Sequence, residues 1–156
     1  MAQAKAEAVA AARADSEWVI GADTIVVLGT EVLHKPADEA DAVRMLLRLQ
    51  GRQHTVMTAV ALRRGGNSEG RSRVVQTEVT FFPATRAELE AYVACGESLD
   101  KAGAYAAQGR GALIIRRIEG CYFNVVGLPV ATLARLMAEV GLDVWTAGDG
   151  GAEAGA

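Results

Sequence analysis

Two strand-like runs, residues 54–64 and 72–82, flank the turn-rich stretch Gly65-Gly-Asn-Ser-Glu-Gly70. That arrangement predicts a long antiparallel hairpin. Residues 18–28 read as a further, buried strand, continued after Gly29-Thr30 by residues 31–33, and Pro36 then blocks further pairing. Helices are expected before, between and after these strands in the sequence. Residues 2–14 are almost all strong helix formers, yet alanine dominates so heavily that the helix must dock to persist. Asp38 is placed to cap a helix reaching Gln50, with Val43, Leu46, Leu47 and Leu49 at helical spacing and Gly51 as its stop. Thr85-Arg-Ala-Glu88 is a capping-box pattern opening a helix that ends near Cys95-Gly96. Residues 112–118 read as a short strand, and Pro129 suits the first turn of a last helix reaching Val140. The order of elements indicates a layered mixed α/β or α+β fold, not a strictly alternating doubly wound sheet.

The chain has 156 residues, 51% hydrophobic and 22% charged, which fits one globular domain and leaves no room for a second. A net charge of -3 argues against nonspecific nucleic-acid binding, which needs a basic face. The two cysteines, Cys95 and Cys121, have neither metal-ligand nor redox spacing and read as free thiols. No signal peptide or membrane-spanning run is found in these residues, so the cytoplasm is the default location. His34 and His54 lack a second ligand at zinc spacing and read as partly exposed residues at strand ends.

Chemistry concentrates in Gly21-Ala-Asp-Thr-Ile-Val-Val and in His34-Lys-Pro, just past the following turn. Asp23 stands in the middle of an otherwise apolar strand, where an ionised carboxylate loses hydration unless a metal, a hydrogen-bond donor or a cation compensates it. A structural alternative is that Asp23 caps a turn or pairs with a core lysine. Two later stretches are Asp100-Lys-Ala-Gly-Ala-Tyr-Ala-Ala-Gln-Gly109 and Glu119-Gly-Cys-Tyr-Phe-Asn-Val-Val-Gly-Leu-Pro129. Together the four segments closely resemble the Maf family of nucleoside triphosphate pyrophosphatases, over about residues 2–145. Members of that family open with a short apolar strand and a Ser-Ala-Ser-Pro-Arg-Arg loop associated with gripping the triphosphate. Here the first residues, Met1-Ala-Gln-Ala-Lys-Ala, resemble instead the family's later Leu-Ala-x-x-Lys-Ala helix. The chain therefore reads as a member without that first segment. Supplying it is expected to raise turnover by about two to three orders of magnitude.

The resemblance implies an elongated, twisted mixed sheet flanked by helices, in a single domain spanning 1–145, with 146–156 as a flexible tail. It implies cleavage of dTTP and UTP to the monophosphate and pyrophosphate with a divalent metal cation, Mg²⁺ or Mn²⁺. In that reading Asp23 is the general base or the metal ligand, and Lys35, on a loop stiffened by Pro36, is catalytic through phosphate binding. Lys5, Thr24, Lys101 and Gln108 are the expected substrate-binding residues. The glutamine amide can match the carbonyl and ring N–H of uracil or thymine. Alternatives stay open: Lys101 as the partner of Asp100, Gln108 as the stabiliser of its turn, Asn124 as an orienter of nearby backbone or a buried loop residue. The expected partner is the nucleoside triphosphate, with no nucleic acid or membrane, and a homodimer is left open. The competing reading is a truncated, catalytically silent nucleotide-binding or interaction domain, and a role in division control has only the family association behind it.

Overall fold

The computed structural model describes residues 2–11, 17–66 and 70–145; the tail expected at 146–156 lies outside the described residues. Its elements in chain order are α1 (Ala2–Ala10), β1 (Trp18–Leu28), β2 (Glu31–Leu33), α2 (Glu39–Leu49), β3 (Gln53–Arg64), β4 (Gly70–Phe81), α3 (Arg86–Val93), β5 (Ile115–Glu119), α4 (Tyr122–Val126) and α5 (Val130–Ala138). Two short 3₁₀ turns, Ala102–Ala104 and Gly109–Leu113, lie between α3 and β5.

The strands form one five-stranded sheet in the order β2-β1-β3-β4-β5, and each described pairing is antiparallel. The fold is thus of the mixed α and β class expected, on the α+β side of that expectation. The long hairpin is β3–β4, paired from Gln53↔Thr80 to Arg63↔Gly70. β1 pairs with β3 from Trp18↔Arg64 to Val27↔Thr55, whereas β2 pairs only with Val26, Val27 and Leu28. The part of β1 before Val26 therefore has β3 on one side and, among the described residues, no strand on the other. An open edge of this kind leaves room for a cleft.

Strand alternation divides the helices between the two faces. Val56, Thr58 and Val60 point to one face. There Val26, Val56, Val79 and Phe81 join α2 and α3 in the main core, while Val60 packs with Leu133 and Leu136 of α5. α2 is capped as expected, Asp38 accepting from the Asp41 N–H at 2.7 Å, and buries Ala42, Val43, Leu46 and Leu49. Each of the two fully buried leucines contributes about 2 kcal/mol. The Thr85–Glu88 capping box is formed at the start of α3. On the opposite face the described side chains that α1 buries are alanines. Ala2, Ala6 and Ala10 are buried, and a Cβ at Gly21 would stand 2.6 Å from the Ala2 carbonyl oxygen. Only glycine lets the helix come that close. Arg63 reaches Glu7 of α1 at 3.3 Å on the same face.

Two expectations need correction. The strand expected at 112–118 begins only at Ile115, because the preceding residues coil into the 3₁₀ turn at Gly109–Leu113. Glu97 holds that turn, accepting from the N–H groups of Arg110 (3.0 Å) and Gly111 (3.2 Å). His54 is not a partly exposed strand end: it is 2% exposed, with Nε2 2.8 Å from the Tyr105 hydroxyl and edge-on contacts to Phe81 and Tyr105. Tyr105 folds over it from a loop 51 positions away, and burial lowers the imidazole pKa to about 4.

Candidate active site

At the open edge of β1 lies a cleft of about 240 Å³. Asp23 and Thr24 of β1, Lys35 of the loop after β2, and Asp100 and Lys101 of the loop after α3 line it, with Val26, Val56, Tyr105, Val125 and Val126 as apolar walls. Four of the six residues singled out from the sequence are thus brought together: Asp23, Thr24, Lys35 and Lys101. Asp23 and Thr24 lie on opposite faces by alternation, and both reach the cleft because it opens at the strand's edge. Gln108 is exposed, directly before the 3₁₀ turn at Gly109, and is not among the lining residues. Lys5 lies on α1, but its side chain is outside the described residues.

The cationic wall is built by a tight turn. Gly103 N–H donates to the His34 carbonyl at 3.1 Å, tying the Asp100–Ala104 segment to the residue before Lys35. Gly103 (φ 71°) and Ala104 (φ 63°) are both left-handed. A Cβ on Gly103 would come within 2.9 Å of a Val26 methyl. A left-handed alanine is strained, by roughly 1–2 kcal/mol, and such strain persists where surrounding contacts impose it. The turn places Lys101 Nζ 2.6 Å from the Asp100 carboxylate. That hydrogen bond, with smaller help from the Lys35 charge, holds the Asp100 carboxyl below the usual aspartate range.

Beneath the cleft a hydroxyl–amide network crosses the sheet. Thr24 Oγ1 lies 2.9 Å from Thr58 Oγ1, and the Thr58 hydroxyl donates to the Asn124 carbonyl at 3.0 Å. Asn124, fully buried on α4, donates through Nδ2 to the Val56 carbonyl (3.1 Å) and to Thr77 Oγ1 (3.0 Å). The side chain whose role was left open is thus buried and bonds backbone of β3 and a hydroxyl of β4, both strand residues rather than a loop. Thr58 and Thr77 were not singled out from the sequence. Alternation alone could have placed them inward, but their partners are set by β1–β3 register and by α4, a helix of five residues that leaves a weak sequence signal.

Among the described residues no group of three or more histidine, cysteine or carboxylate side chains could cage a metal ion. Two carboxylates in the cleft, Asp23 and Asp100, suit instead a hard divalent cation that shares its coordination with phosphate oxygens and water. A larger cavity, about 350 Å³ between α3 and the Gly109–Leu113 turn, is walled mainly by apolar residues such as Phe82, Ala84 and Ile114. Its cation, Arg110, is bonded to Cys95 Sγ. The smaller cleft offers a polyanion two lysines and, through its two carboxylates, a place for a bridging cation, whereas the larger offers one arginine.

The sequence is similar to those of known proteins. The chain is 52% identical over 145 residues, 93% of its length and 74% of the relative's, to a dTTP/UTP pyrophosphatase of Moorella thermoacetica. It is 53% identical over 133 residues to that of Desulfotalea psychrophila, covering 85% of this chain and 68% of the relative. To that of Carboxydothermus hydrogenoformans it is 49% identical over 137 residues, covering 88% and 73%. With residues 1–140 matching the family described as Maf-like protein, and the segments that carry the resemblance converging on one cleft, the chain belongs to the Maf-like family.

Proposed function

We propose that the chain is a nucleoside triphosphate pyrophosphatase that hydrolyses dTTP and UTP to the monophosphate and pyrophosphate. The observation that carries this reading is the convergence of one carboxylate on β1, Asp23, with two lysines, Lys35 and Lys101, on a single cleft. Relatives about half identical to this chain bear the name dTTP/UTP pyrophosphatase. In the reaction, Asp23 accepts a proton from the attacking water as its oxygen bonds to the α phosphorus and the bond from that phosphorus to the bridging oxygen breaks. Lys35 and Lys101 neutralise charge on the departing pyrophosphate. A divalent cation, Mg²⁺ or Mn²⁺, held by Asp23 with Asp100 near, would add Lewis-acid stabilisation of the phosphate oxygens. Thr24 faces the base or sugar, and Gln108 is assigned to the base edge. The cytoplasmic nucleotide pool is the assigned source of substrate.

The test is a pyrophosphate-release assay across the common ribo- and deoxyribonucleoside triphosphates with Mg²⁺ or Mn²⁺. Turnover with dTTP and UTP ahead of ATP and GTP is expected. Binding without turnover would replace the reading with a silent nucleotide-binding domain.

A further inference from the structure

The hydroxyl chain beneath the cleft has a direction. The Asn124 carbonyl can only accept, so the single Thr58 hydroxyl proton is committed to it at 3.0 Å. With that proton spent, the 2.9 Å contact between Thr58 and Thr24 is a hydrogen bond only if Thr24 donates. The far end is fixed as firmly. Asn124 is held by its amide bonds to the Val56 carbonyl and Thr77, and its carbonyl also accepts from the Gly127 N–H at 3.1 Å. Thr77 is in turn set by the backbone of Cys121, accepting from its N–H at 3.1 Å and donating to its carbonyl at 3.2 Å. Thr58 is fully buried, so no solvent competes for its proton.

Resting on the pyrophosphatase reading, we propose that Thr58 is a positioning residue that sets base selectivity: by taking the Thr24 proton it leaves Thr24 Oγ1 to face the cleft as an acceptor only. An acceptor there welcomes a ring N–H, which uracil and thymine carry at N3. Cytosine presents a lone pair at N3 instead. To bind cytosine, Thr24 must turn its proton into the cleft, and the one remaining proton, on Thr58, can then serve either Thr24 or the Asn124 carbonyl but not both. Losing a buried hydrogen bond in this way costs roughly tenfold to a hundredfold in discrimination.

UTP and CTP differ only at the base edge in question, so their ratio of kcat/KM is the readout, with the dissociation constants of their α,β-methylene analogues as a second measure. Thr58→Val keeps the shape but removes the acceptor, so Thr24 can rotate and the UTP preference over CTP falls about tenfold. Thr58→Ser restores the relay and the preference. An unchanged ratio in Thr58→Val, or a Thr58→Ser chain that behaves like it, overturns the inference, since a merely structural role would move both substrates together. Should a melting curve show that Thr58→Val does not fold, Thr24→Val reads the same property. It removes the acceptor itself, and a preference for UTP that survives this change overturns the inference. If the wild-type chain neither binds nor cleaves any of these nucleotides, the pyrophosphatase reading fails and the inference with it; activity with an unmoved ratio defeats the inference alone.

Discussion

Substituting Gly103 by alanine tests how the cationic wall of the cleft is held. Two separate costs can be worked out. The residue has φ 71°, and a side chain in that region costs roughly 1–2 kcal/mol. The new Cβ would also stand 2.9 Å from Val26 Cγ2 and 3.1 Å from Val26 Cβ and Cγ1. Val26 is 2% exposed in the main core, so it cannot turn away, and overpacking of this kind adds about 1–3 kcal/mol. The sum, about 2–5 kcal/mol, corresponds to a melting point lower by roughly 5–15 °C in a chain of this size. Gly29→Ala separates the two costs. Gly29 has a similar φ of 64° but nothing within 4 Å of a built Cβ, so this variant carries the backbone cost alone and should melt only about 2–6 °C lower. Relief of the clash moves the Gly103 turn away from β1 and carries Lys101 with it, so kcat/KM per folded molecule falls about tenfold or more in Gly103→Ala and stays level in Gly29→Ala. Paired calorimetry and pyrophosphate release measure both effects. Equal melting points for the two variants would refute the packing argument, and a native kcat/KM in Gly103→Ala would detach the turn from catalysis.

Three further outcomes are expected. The His54 imidazole sits at about 4 in the fold against an ordinary value of 6.5, so the unfolded chain takes up the proton first. Its contribution, up to about 3 kcal/mol, is complete above pH 6.5 and is lost as pH falls toward 4. Urea titrations should therefore show a shallower acid slope in His54→Gln than in wild type, and parallel slopes would contradict this. Asn124→Ala strips the Val56 carbonyl and Thr77 of a buried donor and should cost about 2–4 kcal/mol by chemical denaturation, with a loss under about 0.5 kcal/mol counting against the network. Gln108→Glu should lower the ratio of dTTP to GTP efficiency by replacing an amide donor with a charge, and an unmoved ratio would return Gln108 to its turn.

What was legible in the sequence followed from local chemistry. Alternation along the two hairpin arms, the Asp38 and Thr85 caps and the spacing of Leu46 and Leu49 each report a neighbour within a few residues, and each is realised. Asp23 was visible for the same reason, as a charge inside an apolar strand. Its company in the cleft was carried by the family resemblance, because Lys101 comes within reach only through the turn at Gly103 and the bond to the His34 carbonyl. The misplacement of His54 shows the limit most clearly. Its burial depends on Tyr105, which no pattern near His54 announces. The Thr24–Thr58–Asn124 relay depends likewise on the register between β1 and β3 and on α4 crossing beneath the cleft.

Asp23→Asn tests the central claim most directly. The change keeps size and shape and removes the charge that takes the proton from water or holds the cation. Paired melting curves and dTTP pyrophosphate-release rates at saturating Mg²⁺ should show native melting with a rate lower by about two to four orders of magnitude. Native melting with a near-native rate would remove Asp23 from the chemistry, and lower melting with activity lost only in proportion to the unfolded fraction would make it a structural residue.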